Sequence, residues 1–223
     1  MPITVHLCRF QFRDVDFRRV GQITDGGTSL SGISEQIEVD GGGYWRLDAT
    51  NGSTRTRETG LAWRALSDIL DGGATAVDVL VCDLFFAPVA GHPLTPHSDA
   101  TPFSDKSLYV SSGASFTAAA APLRATRLTI SGVAELPLIG GEVFSIRHVF
   151  WGNRTYRIIG IEGDVVTIRP PLREAIDAGT ELNFDTPRCQ MHLAPGFQVS
   201  LTTNIGRYGS CALSLVEDMR KPA

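Results

Sequence analysis

The sequence has no excess of basic residues. Its 20 Lys and Arg stand against 24 Asp and Glu, which gives a formal net charge of -4. Proteins that bind nucleic acid neutralise phosphates with clustered Lys and Arg, so we expect no recognition of nucleic acid sequence. With 43% hydrophobic and 20% charged residues, the composition is otherwise that of an ordinary globular protein.

Long apolar runs are missing as well. No run approaches the roughly 20 residues that a membrane-spanning helix needs. Residues 1–17 alternate in polarity and carry charge, in place of the apolar core of a secretion signal. We therefore expect a product made in the cytoplasm, without an export signal of its own and without membrane insertion.

The few cysteines form no CxxC pair. They lie far apart, within apolar or alternating runs, at Cys8, Cys82, Cys189 and Cys211. Closely spaced thiols are typical of zinc and redox sites, so this wide spacing favours small buried thiols. A zinc or redox site remains the alternative.

Signatures of nucleophilic and phosphate chemistry are absent too. No G-x-S-x-G elbow occurs, and the nearest serines, in GGTSLSG (26–32), have no strand-turn-helix context. The glycine-rich stretches DGGTSLSG and DGGGYW (40–45) lack the GK[ST] ending of a phosphate-binding loop. Both stretches therefore indicate turns.

The ionisable residues do not group into a recognised site. The best metal candidates are two histidines and three carboxylates around a Pro-rich loop: His92, His97, Asp83, Asp99 and Asp105. Their spacing matches no closed zinc site, which favours solvated side chains.

Three other histidines stand singly in strand-like runs, where we expect their hydrogen-bonding groups to be satisfied within a sheet: His6, His148 and His192. A carboxylate pair for glycoside cleavage is conceivable among the later acidic residues, but their spread over corners favours a solvated rim: Glu162, Asp164, Glu174, Asp177, Glu181 and Asp185. The sequence predicts no catalytic, cofactor-binding or metal-binding residue, and hence no enzyme.

What the sequence does contain is period-two patterning, which predicts strands. In YWRLDAT (44–50), Trp45, Leu47 and Ala49 share one face, as a half-buried strand requires. The run VDVLVCDLFF (77–86) is more continuously apolar and predicts an inner strand. CALSLV (211–216) permits burial on both faces.

One segment, Thr56 to Gly73, has helical spacing instead. Its apolar residues recur with a period close to 3.6 and so share one helix face: Ala62, Leu66, Ile69 and Leu70. Thr56 suits the N-cap, Glu58 suits the positive end of the helix dipole, and Gly72 suits a left-handed exit. We predict one amphipathic helix that packs against a β-sandwich.

The pattern weakens between Pro88 and Ala121, and the Pro, Ser, Thr and Asp residues there predict a crossing between domains near residues 88–106. Five short strand-like runs with tight corners follow: RLTI, VFSIRHVF, TYRIIGIE, DVVTIRP and TELNF. They predict a small β-barrel over residues 96–186, inserted into a sandwich formed by residues 1–95 and 187–223. In TIRPPLREAIDAGTELNF (167–184), the double proline ends a strand. Leu172 and Ile176 are then expected to plug one end of the barrel.

Three segments resemble the distal tail proteins, and related minor tail and baseplate proteins, of long-tailed bacteriophages and gene transfer agents. They are LAWRALSDILDGGATAVDVLV (61–81), GNRTYRIIGIEGDVVTIRPPLREAIDAGTELNFDTPRCQMHL (152–193) and FQVSLTTNIGRYGSCALSLVED (197–218). The resemblance covers most of the chain from about Tyr44 onward. The doubly glycine-rich region 17–45 departs from it and leaves the strand order of the first sheet open.

The resemblance implies a structural protein of the virion tail tip, made in the host cytoplasm. It implies a homo-oligomer, a hexameric ring that connects the tail tube protein to the tail hub protein or receptor-binding apparatus. The loops 25–43 and 91–105 are expected to reach neighbouring subunits. The alternative is a carbohydrate-binding module for receptor recognition, with Trp151 and Tyr156, or Phe144 and Phe150, stacking on sugars.

Overall fold

The computed structural model describes residues 3–21, 23–28, 30–32, 34–38, 42–81, 94–95, 101, 109–110, 116–132, 138–203 and 209–220. Over these residues the fold is mainly β, as predicted, and contains one α-helix. No helix in these ranges has the length and apolar character needed to cross a membrane. The predicted crossing at 88–106 lies almost wholly outside the described residues.

The strands, in chain order, are β1 (Ile3–Val5), β2 (Asp14–Val20), β3 (Ile23–Thr28), β4 (Ser34–Glu38), β5 (Tyr44–Thr54), β6 (Val77–Leu80), β7 (Leu94–Thr95), β8 (Tyr109–Val110), β9 (Phe116–Ala118), β10 (Arg127–Ser131), β11 (Val143–His148), β12 (Gly152–Glu162), β13 (Val165–Arg169), β14 (Thr180–Leu182), β15 (Arg188–Leu193), β16 (Ser200–Thr203) and β17 (Gly209–Glu217). The helix α1 spans Arg57–Leu70, and two 3₁₀ turns span Leu7–Phe10 and Asp71–Gly73.

The chain divides into two compact units. The first comprises Met1–Cys82, His148–Thr155 and Arg188–Ala223, and the second comprises Asp83–Arg147 and Tyr156–Pro187. This division differs from the predicted domains at residues 83–95 and at Pro187, which join the second unit, and at residues 148–155, which join the first. The predicted boundaries themselves stay a prediction.

The first unit is built on a seven-stranded sheet with the order β1-β6-β15-β17-β5-β2, and β16 pairs with β17 beside this path. The β1–β6 pair is parallel and the other described pairs of this sheet are antiparallel. The strands β15 and β17, which follow the barrel in the chain, thus lie between β6 and β5, which precede it. The first unit is sandwich-like, as predicted, with α1 packed against it.

The period-two predictions for this unit are confirmed where it is described. Trp45, Leu47 and Ala49 are buried on one face of β5. β6 is an inner strand between β1 and β15, although the described strand ends at Leu80. The end of β17 is buried on both faces from Leu213 onward.

Helix α1 begins and ends as its sequence predicts. Thr56 is the N-cap, and its side chain accepts a hydrogen bond from the Thr59 N–H while Thr59 reciprocates. The chain leaves through left-handed conformations at Asp71 (φ 41°) and Gly72 (φ 61°). The buried face differs from the prediction. Trp63, Leu66 and Leu70 are buried, whereas Ala62 and Ile69 are only half-buried.

The second unit contains a six-stranded sheet with the order β11-β12-β13-β10-β9-β14. Ser145 in β11 and Asn183, just after β14, exchange two backbone hydrogen bonds of 2.9 Å. This bridge joins the two ends of the sheet, so the predicted small barrel is nearly closed. The five predicted strands are present. The sixth, β9, was not predicted because three residues before an Ala-rich run carry almost no alternation.

The segment after the double proline contributes to the barrel core. Leu172 and Ile176 are both buried in it, as expected of plugging residues. Residues 172–176 form no helical turn, since the backbone of Leu172 and Ile176 pairs with an earlier loop instead. Ala121 and Ile176 exchange two hydrogen bonds of 3.0 and 2.9 Å, and the Leu172 N–H donates to the Ala125 carbonyl at 3.0 Å.

Candidate functional site

Two exposed apolar side chains lie in the turn between β11 and β12, next to Trp151, a predicted carbohydrate-binding residue. We call residues 148–155 the tip. Val149 and Phe150, at its turn, are 86% and 72% exposed. Gly152 completes the turn with φ 67°, and a Cβ there would lie 2.5 Å from Oε1 of Gln190. The left-handed backbone favours glycine at this position, and any other residue would also require the end of the Gln190 side chain to move.

The tip is anchored by a buried ion pair. Arg154 Nη1 lies 3.7 Å from Glu217 Oε1, and the two side chains are 2% and 0% exposed. Glu217 Oε2 also accepts the Trp45 backbone N–H at 3.1 Å. The indole Nε1–H of Trp45 in turn donates to the Thr155 carbonyl at 2.7 Å. A charge buried this deeply needs its partner, because uncompensated burial is costly.

Further hydrogen bonds connect the tip to the neighbouring strands. Asn153 Nδ2 donates to Asp78 Oδ2 on β6 at 2.9 Å. The Thr155 hydroxyl donates to the Arg188 carbonyl on β15 at 3.0 Å. Two exposed apolar side chains are thus presented on a base that is fixed by β5, β6, β15 and β17. Such an arrangement is suited to contact with another macromolecule, because it offers apolar area without reactive groups.

Trp151, a predicted carbohydrate-binding residue, also lies in the tip. Its side chain is half-buried, and the guanidinium of Arg154 sits over the ring, 5.5 Å from the centroid. This cation–π contact occupies one face of the indole. Sugar stacking on Trp151 stays a prediction, and it would have to use the remaining ring face.

Tyr156, the other predicted carbohydrate-binding residue, belongs to the core of the second unit. It is 0% exposed, and its hydroxyl accepts the Arg173 backbone N–H at 3.1 Å. Its ring packs on Phe144, with centroids 5.8 Å apart, and Phe144 is itself buried. A sugar can stack only on an exposed ring face. Neither Tyr156 nor Phe144 presents one, since both point into the barrel.

The described residues contain no group of three or more His, Cys, Asp or Glu side chains that could hold a metal ion. The metal candidates His92, His97, Asp83, Asp99 and Asp105 all lie outside the described residues. The acidic residues proposed as a possible carboxylate pair are mostly exposed, and Glu162 forms an ion pair with Arg127.

Two of the four cysteines have described side chains. Cys189 and Cys211 are buried free thiols, as the sequence predicts. Burial raises the pKa of Cys211 to about 11, so its thiol is protonated and unreactive at neutral pH. Cys82 and the side chain of Cys8 are outside the described part of the chain.

A charged cluster lies on the polar face of the sheet, around Asp48. The Ser214 hydroxyl donates to Asp48 Oδ1 at 2.6 Å. Asp48 Oδ2 lies 3.0 Å from Arg46 Nε and 2.8 Å from Arg18 Nη2. Burial alone would raise the pKa of Asp48, but the hydrogen bonds from Ser214 and Arg46 and both positive charges lower it overall. The Ser214 hydroxyl is thereby committed to a carboxylate. The cluster joins β2, β5 and β17.

A second cluster consists of His192, Asp218 and Arg220. The Arg220 guanidinium donates to Asp218 at 2.7 Å and to the Ala74 carbonyl at 2.8 Å. Burial and the Arg220 charge lower the pKa of His192, while Asp218, 3.7 Å from His192 Nδ1, opposes them. Burial raises the pKa of Asp218, but the bonds and charge of Arg220 outweigh that and lower it.

We expect His192 to make the first unit less stable as pH falls from 7 to 5. In the unfolded chain the imidazole takes up a proton near its ordinary pKa of about 6.5, whereas the folded protein resists protonation until lower pH. A depressed pKa therefore contributes stability that is complete above pH 6.5 and is lost below it. Urea midpoints measured at pH 7 and pH 5 by tryptophan fluorescence test this.

The matched variant is His192→Gln, which has no group that titrates in this range. Its midpoint should change less between pH 7 and pH 5 than that of the wild type. The lowered pKa values of Asp48 and Asp218 act only near pH 4 and below, so they do not obscure the difference. Equal changes in the two proteins would contradict the assignment to His192.

Sequence reasoning missed the anchor of the tip. Arg154 lies in the alternating run GNRTYRII and Glu217 lies 63 positions later, and no local pattern links them. Single charged residues within apolar strands, such as Glu217 at the end of CALSLVE, are the one signal that would have indicated a buried partner. Comparison with known proteins finds no family model and no curated protein that matches the chain.

Proposed function

We propose that this protein is a structural subunit of a virion, a distal tail ring protein at the tail tip that joins the tail tube to the hub or receptor-binding apparatus. The observation that carries the proposal is the interrupted sheet of the first unit, in which β15 and β17 return after the barrel to pair with β6 and β5 respectively. This is the architecture that the resemblance implies, a sandwich with a barrel inserted before its last strands.

The segments that carry the resemblance fall on defined elements. Residues 61–81 form most of α1 and all of β6, residues 152–193 form β12 to β15, and residues 197–218 form β16 and β17. Fold alone does not establish function, because one architecture hosts many roles. The proposal therefore also needs surfaces that suit a ring.

The tip supplies one such surface. A ring subunit uses two complementary patches in a head-to-tail contact that closes by rotation. Val149 and Phe150 are exposed apolar side chains on a fixed base, and burying them against a neighbour would remove apolar area from water. We assign the tip to the subunit interface of the ring.

The proposal predicts rings of six subunits, six times the chain mass of 24.0 kDa, in negative-stain images and mass photometry. Phe150→Asp should abolish these rings, because the charge would be buried in the interface. Ile139→Asp is the matched control. Ile139 is also exposed, at 90%, and lies in the second unit, where Glu142 accepts the backbone N–H groups of Ile139 and Gly140. This control should leave ring formation unchanged.

Because some ring proteins assemble only on their neighbours, the same two variants should also be examined in particles. Immunogold labelling with antibody against this chain should mark the tail tips of particles purified from the source organism. Absence of the chain from particles, or labelling only elsewhere on them, would refute the tail-tip role. Rings that persist with Phe150→Asp would refute only the assignment of the tip.

A further inference from the structure

Strand β2 forms one edge of the seven-stranded sheet. Among the described residues its only strand partner is β5. Asp14, Val15, Asp16 and Arg18 are exposed along this edge. An open edge presents N–H and C=O groups that can pair with a further strand. Charged edge residues usually oppose such pairing, so their order along the strand decides what can bind.

Within one chain, the charges of β2 face like charges. Asp16 lies directly opposite Asp48, and Arg18 lies directly opposite Arg46. Like charges in directly opposite positions destabilise a strand pair. Arg18 relieves this by reaching diagonally to Asp48 at 2.8 Å, and it also pairs with Asp16. The Asp16 and Arg18 side chains nonetheless remain about half exposed, at 54% and 49%.

We propose that β2 pairs antiparallel with β2 of a second copy of this chain, about a two-fold axis at Phe17. In this register Asp16 lies directly opposite Arg18 of the second copy, and the same pair recurs on the other side of the axis. Asp14 lies opposite Val20, which makes Arg18 of the second copy its diagonal neighbour. The sign order of DVDFRRV is therefore complementary to itself when the strand is reversed.

Other registers weaken this complementarity. A shift by two residues in one direction places Asp16 opposite Asp16 at the axis, although Asp14 then lies opposite Arg18, and the shift in the other direction places Arg18 opposite Arg18. A shift by one residue brings the polar face of one strand beside the core face of the other. Parallel pairing in register sets every charge against its own kind. The charges thus select one antiparallel register.

The opposite face of β2 also suits a second copy. Val15 and Phe17 share a face with Ala49 and Leu47, their partners in β5, which belong to the core. The Phe17 ring stacks on Trp45, with centroids 4.4 Å apart and ring planes 4° apart. In the proposed register the two Phe17 side chains lie opposite each other. Arg19 shares this face and would lie opposite Val15 of the second copy, so the apolar contact across the axis is made by the two Phe17 side chains.

This contact is distinct from the ring contact. A two-fold contact is isologous and closes as a dimer, whereas the ring contact is heterologous. A seven-residue edge buries much less than the roughly 800 Å² per partner of a standard interface. We therefore expect a weak, salt-sensitive dimer. It does not depend on the proposed function, and its test uses purified protein in dilute solution.

The test is a charge exchange measured by analytical ultracentrifugation over a range of concentrations. Asp16→Arg sets arginine against Arg18 at both pairs, and Arg18→Asp sets aspartate against Asp16. Each variant alone should raise the dimer dissociation constant at least about tenfold. Mixed in equal amounts and labelled with different fluorophores, the two variants should form a heterodimer, because every opposite pair then has unlike charges.

The matched control is Arg127→Glu, which reverses one charge of another exposed ion pair, with Glu162 in the barrel. It should leave dimerisation unchanged. Thermal unfolding of each variant checks that the fold is retained. A wild type that stays monomeric up to its solubility limit overturns the proposal and leaves the edge to a strand of another protein. Single variants that dimerise like the wild type, or a mixture without heterodimer, overturn it equally.

Discussion

Replacing Arg154 with Met should lower the free energy of unfolding of the first unit by about 3–5 kcal/mol. The substitution keeps much of the side-chain volume but leaves Glu217, at 0% exposure, without its cation. Urea unfolding followed by tryptophan fluorescence measures this directly. All three tryptophans, Trp45, Trp63 and Trp151, lie in the first unit, so the signal reports that unit alone.

A second substitution distinguishes lost charge compensation from lost packing. In the double variant Arg154→Met with Glu217→Gln, the glutamine can still accept the Trp45 N–H, and neither residue of the pair carries a charge. We expect it to recover most of the stability lost in the single variant. Arg127→Met, which breaks an exposed pair, should cost less than about 1 kcal/mol. An Arg154→Met protein as stable as the wild type would show that the anchor of the tip contributes little.

Replacing Trp63 with Ala should destabilise the first unit by a similar amount, about 3–5 kcal/mol. Trp63 is the largest side chain on the buried face of α1 and is 1% exposed. Its ring meets Phe10 edge-on, with centroids 5.1 Å apart, and Phe12 at 6.0 Å. Removing it leaves a cavity between the helix and the N-terminal segment. Urea unfolding followed by circular dichroism measures the loss without relying on Trp63 as a probe.

A second substitution of Trp63 distinguishes the contribution of ring packing from that of the polar indole N–H. Nε1 is buried and has no hydrogen-bond partner among the described residues. Trp63→Phe removes this unpaired donor and keeps an aromatic ring, so it should cost less than about 2 kcal/mol. Leu61→Ala, on the exposed face of the same helix, should change stability by about 0.5 kcal/mol at most. If Trp63→Ala were no worse than Leu61→Ala, the helix would not depend on this contact.

Local patterns account for the elements that were predicted correctly. Alternation over residues 44–50 specifies which face of β5 is buried, because side chains in a strand point to opposite sides in turn. Thr56 and Gly72 delimit α1 through capping and left-handed backbone, which depend on only a few neighbouring residues. Trp63 was missed because a run with apolar residues at several helical positions permits two faces, and tertiary packing chooses between them.

The sequence by itself determined a mainly β chain, one capped helix and a compact barrel closed by short strands, since each depends on periodicity and turn chemistry within a few residues. Only the tertiary structure decided the parallel β1–β6 pair, the interleaved strand order and the burial of Tyr156. The ion pair between Arg154 and Glu217 likewise follows only from the tertiary structure. Contacts between residues far apart in the chain form because the whole fold buries apolar surface, and no local pattern encodes which distant partner each strand will meet.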